Sequence, residues 1–520
     1  MTIKRYFANA DNSITNAFKQ DLTTRGTGSN AGLADILEVF SIYGQQSSTS
    51  SELSRILIQF PVSDISTDRS NGVIPASGSV KFFLNLYNAP HSTTLPRSFK
   101  LTVNGVNGSW QEGNGLDLDN YSDLTYDKIG SNWIRRQGST SWSNAGGDIH
   151  TDSPSTFEQS FDIGTEDLSV DVTTLVEQWI NSAGNVLGSK TNNGFLIKLS
   201  SSYEASSSAN PDGAVISYYT KKFFARDSEF FFEKPKLEAR WDSSLKDQRG
   251  NFFYSSSLAP ASDNLNTIFL YNYVRGRLRN IPSIGTDNIY VSIFSGSSDD
   301  NAPFGSALEM VADGTHVRDT NLFVITGSHV STGIYKCSFA FTGSSDLETI
   351  YDVWFSGSST TLDASTAAIQ LHTGSIEPKS LEASNINPNG KYVVSMPNLK
   401  ETYSNTETER FRLYVRNKNW SPNIYTKTQL TPETLIIESA SYQVTRTIDN
   451  KVVIPYGTGS NDNNYSMLSY DISGNYFDLD LSMLEAGYSY AFQYSFYEDS
   501  VSSYRQQPYL FKFRVEKDEY

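Results

Sequence analysis

The stretch Ser79–Tyr87 (SVKFFLNLY) sets the pattern for most of the chain. Apolar residues occupy every second position from Val80 to Leu86, which is the period of a β-strand with one face in a core. Similar short runs, bounded by Gly, Ser, Asn and Asp, recur almost everywhere, for example at Arg412–Arg416. The sequence therefore predicts an all-β protein.

One segment has a helical period instead. The stretch Val172–Asn181 places its apolar residues at positions i, i+3, i+4, i+7 and i+8, and Asp171 or Thr173 is suited to cap its start. We expect Val172–Ile180 to be the main helix of the N-terminal domain and to lie against a sheet. The apolar stripe consists of Val172, Leu175, Val176, Trp179 and Ile180.

Composition limits both the architecture and the partners. The 520 residues exceed a single core, which stops growing at about 250 to 300 residues. The 57 Asp and Glu outnumber the 41 Lys and Arg, for a net charge of −16, and we expect no segment to concentrate the basic residues. This balance argues against nucleic acid as a partner. No run approaches the roughly 20 apolar residues of a membrane span, so no membrane insertion is predicted.

Two breaks divide the chain into three predicted domains. Pro235–Gly250 (PKLEARWDSSLKDQRG) passes from a strand into a charged stretch that ends in glycine, so the first boundary is placed near Ser243. Ser375–Gly390 (SIEPKSLEASNINPNG) contains prolines that interrupt a strand ladder. The predicted domains are 1–243, 244–380 and 381–520.

The two later domains share a pattern of strands that predicts immunoglobulin-like β-sandwiches. Ile334–Phe341 (IYKCSFAF) and Tyr488–Phe496 (YSYAFQYSF) are alternating aromatic strands. Each precedes a second strand, Tyr351–Ser356 or Leu510–Glu516, and we interpret each pair as the last hairpin of its sandwich.

Seven spaced elements of the first 243 residues resemble the DNRLRE domain family, which is related to a group of carbohydrate-binding modules. In the family order they are Arg55–Phe60 (RILIQF), Ser79–Tyr87, Gly108–Gly113 (GSWQEG), Ser141–Trp142 with Gly146, Gly147 and Asp148, Asp171–Asn181 (DVTTLVEQWIN), Asn193–Phe195 (NGF) and Phe223–Pro235 (FFARDSEFFFEKP). Ala225-Arg226-Asp227 departs from the usual Ser-Arg-Glu. The resemblance implies a jelly-roll β-sandwich, in which Trp110, Trp142, Trp179 and Arg226 form the framework.

The last domain resembles structural proteins of T4-like marine cyanophages. The matching stretches are Phe411–Tyr425 (FRLYVRNKNWSPNIY), Val453–Gly459 (VIPYGTG) and Leu468–Leu481 (LSYDISGNYFDLDL). The opening residues lack the basic start and apolar run of a secretory signal. The resemblance and this opening together predict a virion protein, synthesised in the host cytoplasm without a signal peptide.

No arrangement of residues predicts catalysis, a metal or a cofactor. The histidines stand far apart, no metal-ligand or nucleophile motif occurs, and carboxylates are scattered in turns. Asp117, Asp119 and Asp148 have the oxygen chemistry of a calcium site, but short acidic loops are more often plain turns, and no metal is predicted. Cys337 should be an inert residue on a buried face with Tyr335 and Phe339. The histidines are His91, His150, His316, His329 and His372.

The sequence is compatible with three functions. The first is a non-enzymatic structural component of a tailed-phage virion, such as a fibre, collar or decoration protein, whose partners are other virion proteins and itself as a homo-oligomer. The alternative is an adhesin that binds host surface polysaccharide through exposed aromatic residues outside the framework motifs. The third is a polysaccharide-cleaving enzyme, but the sequence shows no set of catalytic residues for it. The candidate glycan-binding residues are Trp133, Tyr203, Tyr218 and Tyr219.

The two ends of the chain are expected to have different roles. Residues 381–520 are predicted to anchor the protein in the particle, and the N-terminal sandwich is predicted to face outward. The strand Leu510–Glu516 lies close to the last residue of the sequence, so it can form a sheet edge that pairs with a neighbouring subunit unless something covers it.

Overall fold

A computed structural model describes residues 2–19, 21–43, 51–91, 95–116, 129–181, 187–208, 210–297, 299, 301–314, 322–343, 347–357, 369–380, 391–420, 424, 434–457, 464–498 and 501–518. The chain forms two compact units. The first comprises Met1–Asp242 with a short segment that includes Tyr465, and the second comprises the rest of the chain from Ser243 onward.

The described part of the first unit is mainly strand, with two short helices. Its elements are β1 (Ile3–Phe7), β2 (Ala10–Thr15), β3 (Ile36–Tyr43), β4 (Ser51–Gln59), α1 (Val62–Ser70), β5 (Lys81–Leu86), β6 (Phe99–Gly105), β7 (Arg135–Gln137), β8 (Thr140–Ser141), β9 (Thr156–Phe161), β10 (Leu168–Asp171), α2 (Thr173–Ile180), β11 (Phe195–Leu199), β12 (Tyr218–Phe224) and β13 (Lys236–Arg240).

Two antiparallel sheets of this unit have the strand order of a jelly roll. One sheet has the order β1-β13-β5-β10, and the other has β12-β3-β4-β11-β6-β9, with β2 also paired to β4. The eight strands β1, β4, β5, β6, β9, β10, β11 and β13 give the orders 1-8-3-6 and 2-7-4-5 of an eight-stranded double Greek key. Strands β2, β3 and β12 extend the second sheet. The jelly-roll prediction is confirmed.

The core of the jelly roll lies between these sheets. Leu37 and Ile56 of the larger sheet and Phe82 and Leu237 of the smaller one are fully buried in a single cluster. The period-2 pattern of Ser79–Tyr87 therefore corresponds to β5, where alternate residues enter the core.

Helix α2 confirms the helical prediction, but it is not the longest helix of the domain. Its buried residues include Leu175 and Trp179, and the Asp171 carboxylate accepts a 3.0 Å hydrogen bond from the Thr173 N–H. Helix α1 is one residue longer and was missed, because only Val62 and Ile65 of its nine residues are buried and no apolar stripe marks it.

The second unit begins with an immunoglobulin-like sandwich. Strand β14 pairs with β21 and β21 with β20, while β17 pairs with β18, β20 and β22, and β22 pairs with β23. These are the B-E-D and C′-C-F-G arrangements of the fold, joined where β20 pairs with both β21 and β17. The elements are α3 (Ala261–Asn264), β14 (Asn266–Tyr271), β15 (Tyr273–Val274), β16 (Arg277–Leu278), β17 (Ile289–Gly296), β18 (Pro303–Leu308), β19 (Met310–Val311), β20 (Ile325–Ser331), β21 (Ile334–Phe341), β22 (Ile350–Ser356) and β23 (Ile369–Ile376).

The hairpin predicted for this domain is wrong by one strand. Strand β21 pairs with β14 and β20, and β22 pairs with β23 to form the last hairpin. The aromatic alternation identified the strands correctly but could not identify their neighbours, because strand partners depend on the whole topology.

The C-terminal sandwich is a more complete immunoglobulin-like domain. One sheet has the order β24-β26-β30-β29, which matches A-B-E-D, and the other has β25-β33-β31-β27-β28, which matches A′-G-F-C-C′. The elements are β24 (Tyr392–Ser395), β25 (Thr402–Ser404), β26 (Thr408–Asn417), β27 (Ala440–Arg446), β28 (Lys451–Ile454), β29 (Ser469–Asp471), β30 (Gly474–Asp480), β31 (Ser489–Glu498), β32 (Ser503–Gln506) and β33 (Phe511–Glu516).

Aromatic contacts hold the two sheets of this domain together. The rings of Phe411 on β26 and Phe492 on β31 lie 4.7 Å apart, where antibody domains have the B–F disulfide. The Tyr490 hydroxyl, two residues before Phe492, donates a 2.8 Å hydrogen bond to the Glu485 carbonyl, as in the tyrosine corner of this fold.

The terminal strand is partly covered in the structure. Strand β33 pairs with β31 on one side and in parallel with β25 on the other, where Thr402 to Ser404 lie opposite Arg514 to Glu516. The A′ strand thus covers the C-terminal half of β33. Sequence reasoning missed it because β25 is only three residues long.

The segment after Ser243 joins the two immunoglobulin-like sandwiches. Lys246 forms a parallel bridge with Tyr470 of the C-terminal sandwich, and Phe253 forms one with Lys379 at the end of the middle sandwich. The Arg249 guanidinium pairs with the buried Asp352 carboxylate of β22. The sequence predicted a domain boundary near Ser243, and the segment that follows this boundary forms part of both sandwiches.

Candidate functional site

The four aromatic residues predicted to bind glycan do not share one environment. Trp133 is only 6% exposed and packs in a small buried cluster with Trp110 and Trp142. The Arg55 guanidinium lies over its ring, 5.1 Å from the centroid. The expectation that Trp133 is exposed is therefore wrong, because the loop that carries it folds back onto the sheet.

The other three residues meet in a tyrosine cluster, which we define as Tyr203, Tyr218 and Tyr219. The Tyr218 and Tyr219 rings are stacked with centroids 4.8 Å apart, and the Tyr203 ring meets Tyr219 edge-on at 5.1 Å. Tyr218 is 62% exposed, whereas Tyr203 and Tyr219 are half-buried and pack against the jelly-roll core. Phe99 continues the contact into that core, 5.8 Å from Tyr219.

Buried serines fix the cluster at the start of the edge strand β12. The Ser217 hydroxyl lies within hydrogen-bond distance of the carbonyls of Ser41, at 2.7 Å, and Tyr203, at 2.8 Å, and its one proton can be donated to either. The Ser41 hydroxyl in turn accepts a 2.9 Å hydrogen bond from the Ala205 N–H. These bonds tie the loop that carries Tyr203 to β3, so the three rings are held before any ligand arrives.

Exposed apolar side chains extend the cluster. Val215 and Ile216 precede Tyr218 in the chain and are 86% and 65% exposed. Tyr43, at the end of β3, is also exposed and follows Ile42, which is paired with Tyr218. Exposed rings with a fixed geometry can stack on the apolar face of a sugar, while their hydroxyls bond to its polar groups. The sequence prediction named the tyrosines but missed Val215 and Ile216, which have no period or motif.

The environment of the Tyr219 hydroxyl favours its protonated form. Burial, together with the Tyr218 contact, raises the pKa of the Tyr219 hydroxyl. The Tyr219 hydroxyl therefore keeps its proton at neutral pH and can donate as well as accept a hydrogen bond.

The residues assigned to the framework have structural contacts. Trp110 and Trp142 are buried, and their indole N–H groups donate to the carbonyls of Asn193 and Asn132. The Arg226 guanidinium forms two hydrogen bonds to the Glu112 carboxylate, at 3.1 and 3.2 Å. The backbone N–H of Arg226 donates to Asp11, and burial raises the pKa of the Asp11 carboxyl to about 7.

Within the described ranges, no group of three or more His, Cys, Asp or Glu side chains could hold a metal ion. The Asp148 carboxylate accepts hydrogen bonds from the backbone N–H groups of Ser143 and Asn144, both at 2.8 Å, and so stabilises a turn. Asp117, Asp119 and His316 lie outside the described residues. Among the helices of the described ranges, none is long and apolar enough to span a membrane.

Cys337 lies where the strand pattern predicts. It is 1% exposed on β21, between the buried Tyr335 and Phe339. Burial raises the pKa of its thiol, which disfavours the reactive thiolate.

Comparison with known proteins identifies no family. No protein-family model matches the chain, and no curated protein matches it. Among solved structures, the immunoglobulin domains 1 and 2 of DIP-gamma align at 11% identity over 45% of this chain and 84% of that one, with a TM-score of 0.12. A Ca²⁺-stabilised adhesin with which an Antarctic bacterium binds ice aligns at 9% identity over 98% and 100% of the two chains, with a TM-score of 0.14. A tetra-tandem repeat from the extending region of a large adhesion protein aligns at 8% identity over 93% and 73%, with a TM-score of 0.11. Similarity this low carries no argument about function.

Proposed function

We propose that the chain is a non-enzymatic structural component of a tailed-phage virion, which assembles with other virion proteins and with itself. The observation that carries the proposal is the second unit, in which two immunoglobulin-like sandwiches share the segment around Arg249 and act as one compact body. Such a body offers several sandwich surfaces, and docking through them needs no pocket. The resemblance of Phe411–Tyr425, Val453–Gly459 and Leu468–Leu481 to cyanophage structural proteins supports the phage assignment; residues 421–423, 425, 458 and 459 of these stretches lie outside the described ranges.

The buried carboxylates form ion pairs within the fold, which supports a role in assembly rather than in catalysis. Glu177 pairs with Arg69, Glu238 with Arg5 and Asp352 with Arg249, and each carboxylate is at most 5% exposed. The Arg5, Arg240 and Lys236 charges hold the pKa of Glu238 at about 2 in spite of its burial. A catalytic acid needs the opposite shift, toward the working pH. These carboxylates join elements of the fold.

Purified particles provide the test. Mass spectrometry of dissected particles should find the chain at a fixed copy number, and imaging at residue resolution should place the second unit against neighbouring subunits. Absence from washed particles would refute the virion assignment. Depolymerisation of a host polysaccharide by the isolated protein would refute the non-enzymatic role.

The tyrosine cluster favours a second function, attachment to host surface polysaccharide. The half-buried Tyr203 and Tyr219 hold the exposed Tyr218 ring at the edge of the jelly roll, in the domain that resembles carbohydrate-binding modules. Binding of the full-length protein to purified host polysaccharide, compared with Tyr218→Ala, tests this function. Equal binding by the two proteins would exclude the cluster as the site.

A further inference from the structure

A short hairpin of the middle sandwich carries three arginines, and we call Asn272–Asn280 (NYVRGRLRN) the arginine hairpin. It connects β14 to β17, the B–C connection at one end of the immunoglobulin-like fold, which in antibody variable domains is a recognition loop. Strand β15 pairs with β16 across the two-residue turn Arg275-Gly276. The sequence prediction that no segment concentrates basic residues is wrong here.

The turn conformation is unusual for arginine. Arg275 and Gly276 have φ angles of 51° and 77°, as a two-residue type I′ turn requires. Asn, Asp or Gly normally occupy the first of these positions, because a residue with a long side chain is strained at positive φ. An arginine at this position indicates that its side chain serves a purpose other than forming the turn.

The base of the hairpin is clamped. The Asn272 side chain donates a 2.6 Å hydrogen bond to the Arg279 carbonyl, and the Asn272 N–H donates to the Gly333 carbonyl at 2.8 Å. The Asn280 side chain accepts a 2.6 Å hydrogen bond from the Gly333 N–H. A clamped hairpin has already lost much of the conformational freedom that a flexible loop would lose on binding.

The arginines of the hairpin have no partners among the described residues. The side chains of Arg275, Arg277 and Arg279 are exposed, and none forms a hydrogen bond or ion pair with any residue that the structure describes. Arg410 and Arg412 of the same unit, by contrast, each form paired hydrogen bonds to one carboxylate. Beside the free guanidinium groups, Tyr273 and Val274 are 54% and 50% exposed.

We propose that the arginine hairpin docks onto an acidic surface of a second copy of this chain. The proposal deepens the proposed assembly function and rests on it. The net charge of −16 includes these three arginines, so the rest of the chain is more acidic still and offers carboxylates to the forked guanidinium groups. Tyr and Arg are also enriched among the residues that contribute most to protein–protein binding, and Tyr273 and Val274 supply the apolar part.

Sedimentation velocity of the full-length protein tests this docking. The wild type should self-associate at about 0.1 M salt and lose at least about tenfold in affinity at about 1 M, where screening shortens to about 3 Å. The variant R275E/R277E/R279E should be monomeric. The variant R275K/R277K/R279K keeps the charge but loses the forked geometry, and it should associate more weakly than the wild type.

The control reverses three exposed lysines elsewhere in the same unit. The variant K336E/K418E/K512E changes the net charge by the same amount and should associate as the wild type does, apart from a small general effect of charge. A control that dissociates as completely as the hairpin variant would overturn the proposal. A wild type that stays monomeric at every concentration and salt would overturn it too.

Binding of the polyanion heparin distinguishes self-docking from the other possible ligand of the hairpin, an anionic glycan. If heparin binds to a monomeric wild type and not to the hairpin variant, the hairpin serves an anionic glycan and self-docking is wrong. Self-association is measured on the purified chain, so it can succeed or fail independently of whether the chain is found in particles. Circular dichroism should be unchanged in every variant, because all the substituted side chains are exposed.

Discussion

Among the predicted glycan-binding side chains, the Tyr218 ring is exposed and can contact a ligand, whereas the Trp133 ring is buried. Tyr218→Ala should reduce binding to host polysaccharide by at least about tenfold, the effect of losing one stacked ring, with little change in stability. Trp133→Ala should instead destabilise the domain by about 3 to 5 kcal/mol, as a large-to-small change in a packed cluster. Binding isotherms and thermal melts of the two variants check this. Loss of stability in Tyr218→Ala without loss of binding would contradict a binding role.

Asp11 gives the jelly roll a pH dependence of known sign. Burial raises the pKa of its carboxyl from 3.8 to about 7, so the folded state keeps a proton that the unfolded state has released. The stabilising contribution is fully present below about pH 4 and is lost as the pH rises through 7, at no more than about 1.4 kcal/mol per pH unit. Asp11→Asn should flatten this slope.

Chemical unfolding at several pH values between 4 and 8 measures the effect of Asp11→Asn. The variant and the wild type should differ most in slope between pH 5 and 7, roughly the range in which the two states hold different numbers of protons. Glu238 contributes equally to both curves, because its stabilising contribution is present above about pH 4.5 and is lost as the pH falls toward 2 in the variant and the wild type alike. Parallel curves for the two proteins would show that Asp11 is ionised in the folded state.

Among the elements, helix α2 is the one whose packing in the core the sequence predicted best. The Trp179 ring lies 4.7 Å from the Phe195 ring of β11, with Leu175 and Val176 buried beside it. Trp179→Ala should therefore lower the free energy of unfolding of the first unit by about 3 to 5 kcal/mol. Trp179→Phe, which keeps an aromatic ring in the site, should lose clearly less. Equal losses in the two variants would argue against packing as the cause.

The sequence predicted which residues form a strand better than it predicted which strands pair with each other. Alternation at Ile334–Phe341 identified β21 to the residue, because each strand leaves its own period-2 pattern. Its partners could not be predicted, since pairing is decided by contacts between distant parts of the chain. Short or half-exposed elements such as β25 and α1 have no apolar period and were missed.

The candidate site was predictable only in part, for a similar reason. Tyr218 and Tyr219 could be selected as aromatics outside the framework motifs, and the structure brings them together with Tyr203. Trp133 satisfied the same criterion but is buried, because exposure depends on how a loop returns to the sheet. The arginine hairpin could have been predicted from its sequence, which places a glycine turn among three arginines. It was overlooked because the basic residues were counted over the whole chain.

At the scale of the whole molecule, the two compact units should unfold separately, while the two immunoglobulin-like sandwiches should unfold together. Their shared segment bonds to both sandwiches: the Asn251 side chain donates to Glu438 at 2.6 Å, and the Arg249 guanidinium pairs with the buried Asp352. Scanning calorimetry of the full-length protein should therefore resolve two transitions and not three. A separate third transition would mean that the middle and C-terminal sandwiches are independent.

Arg249→Ala provides the decisive variant for this cooperativity. It leaves the Asp352 carboxylate buried without its ion-pair partner, which should destabilise the second unit by about 3 to 5 kcal/mol. If the two sandwiches unfold as one body, the transition of the entire second unit shifts, and hydrogen exchange speeds up in β31 of the C-terminal sandwich as well as in β22. The transition of the first unit should stay in place, and Trp179→Ala should have the reverse effect. Faster exchange confined to the middle sandwich would show that the shared segment does not couple the two.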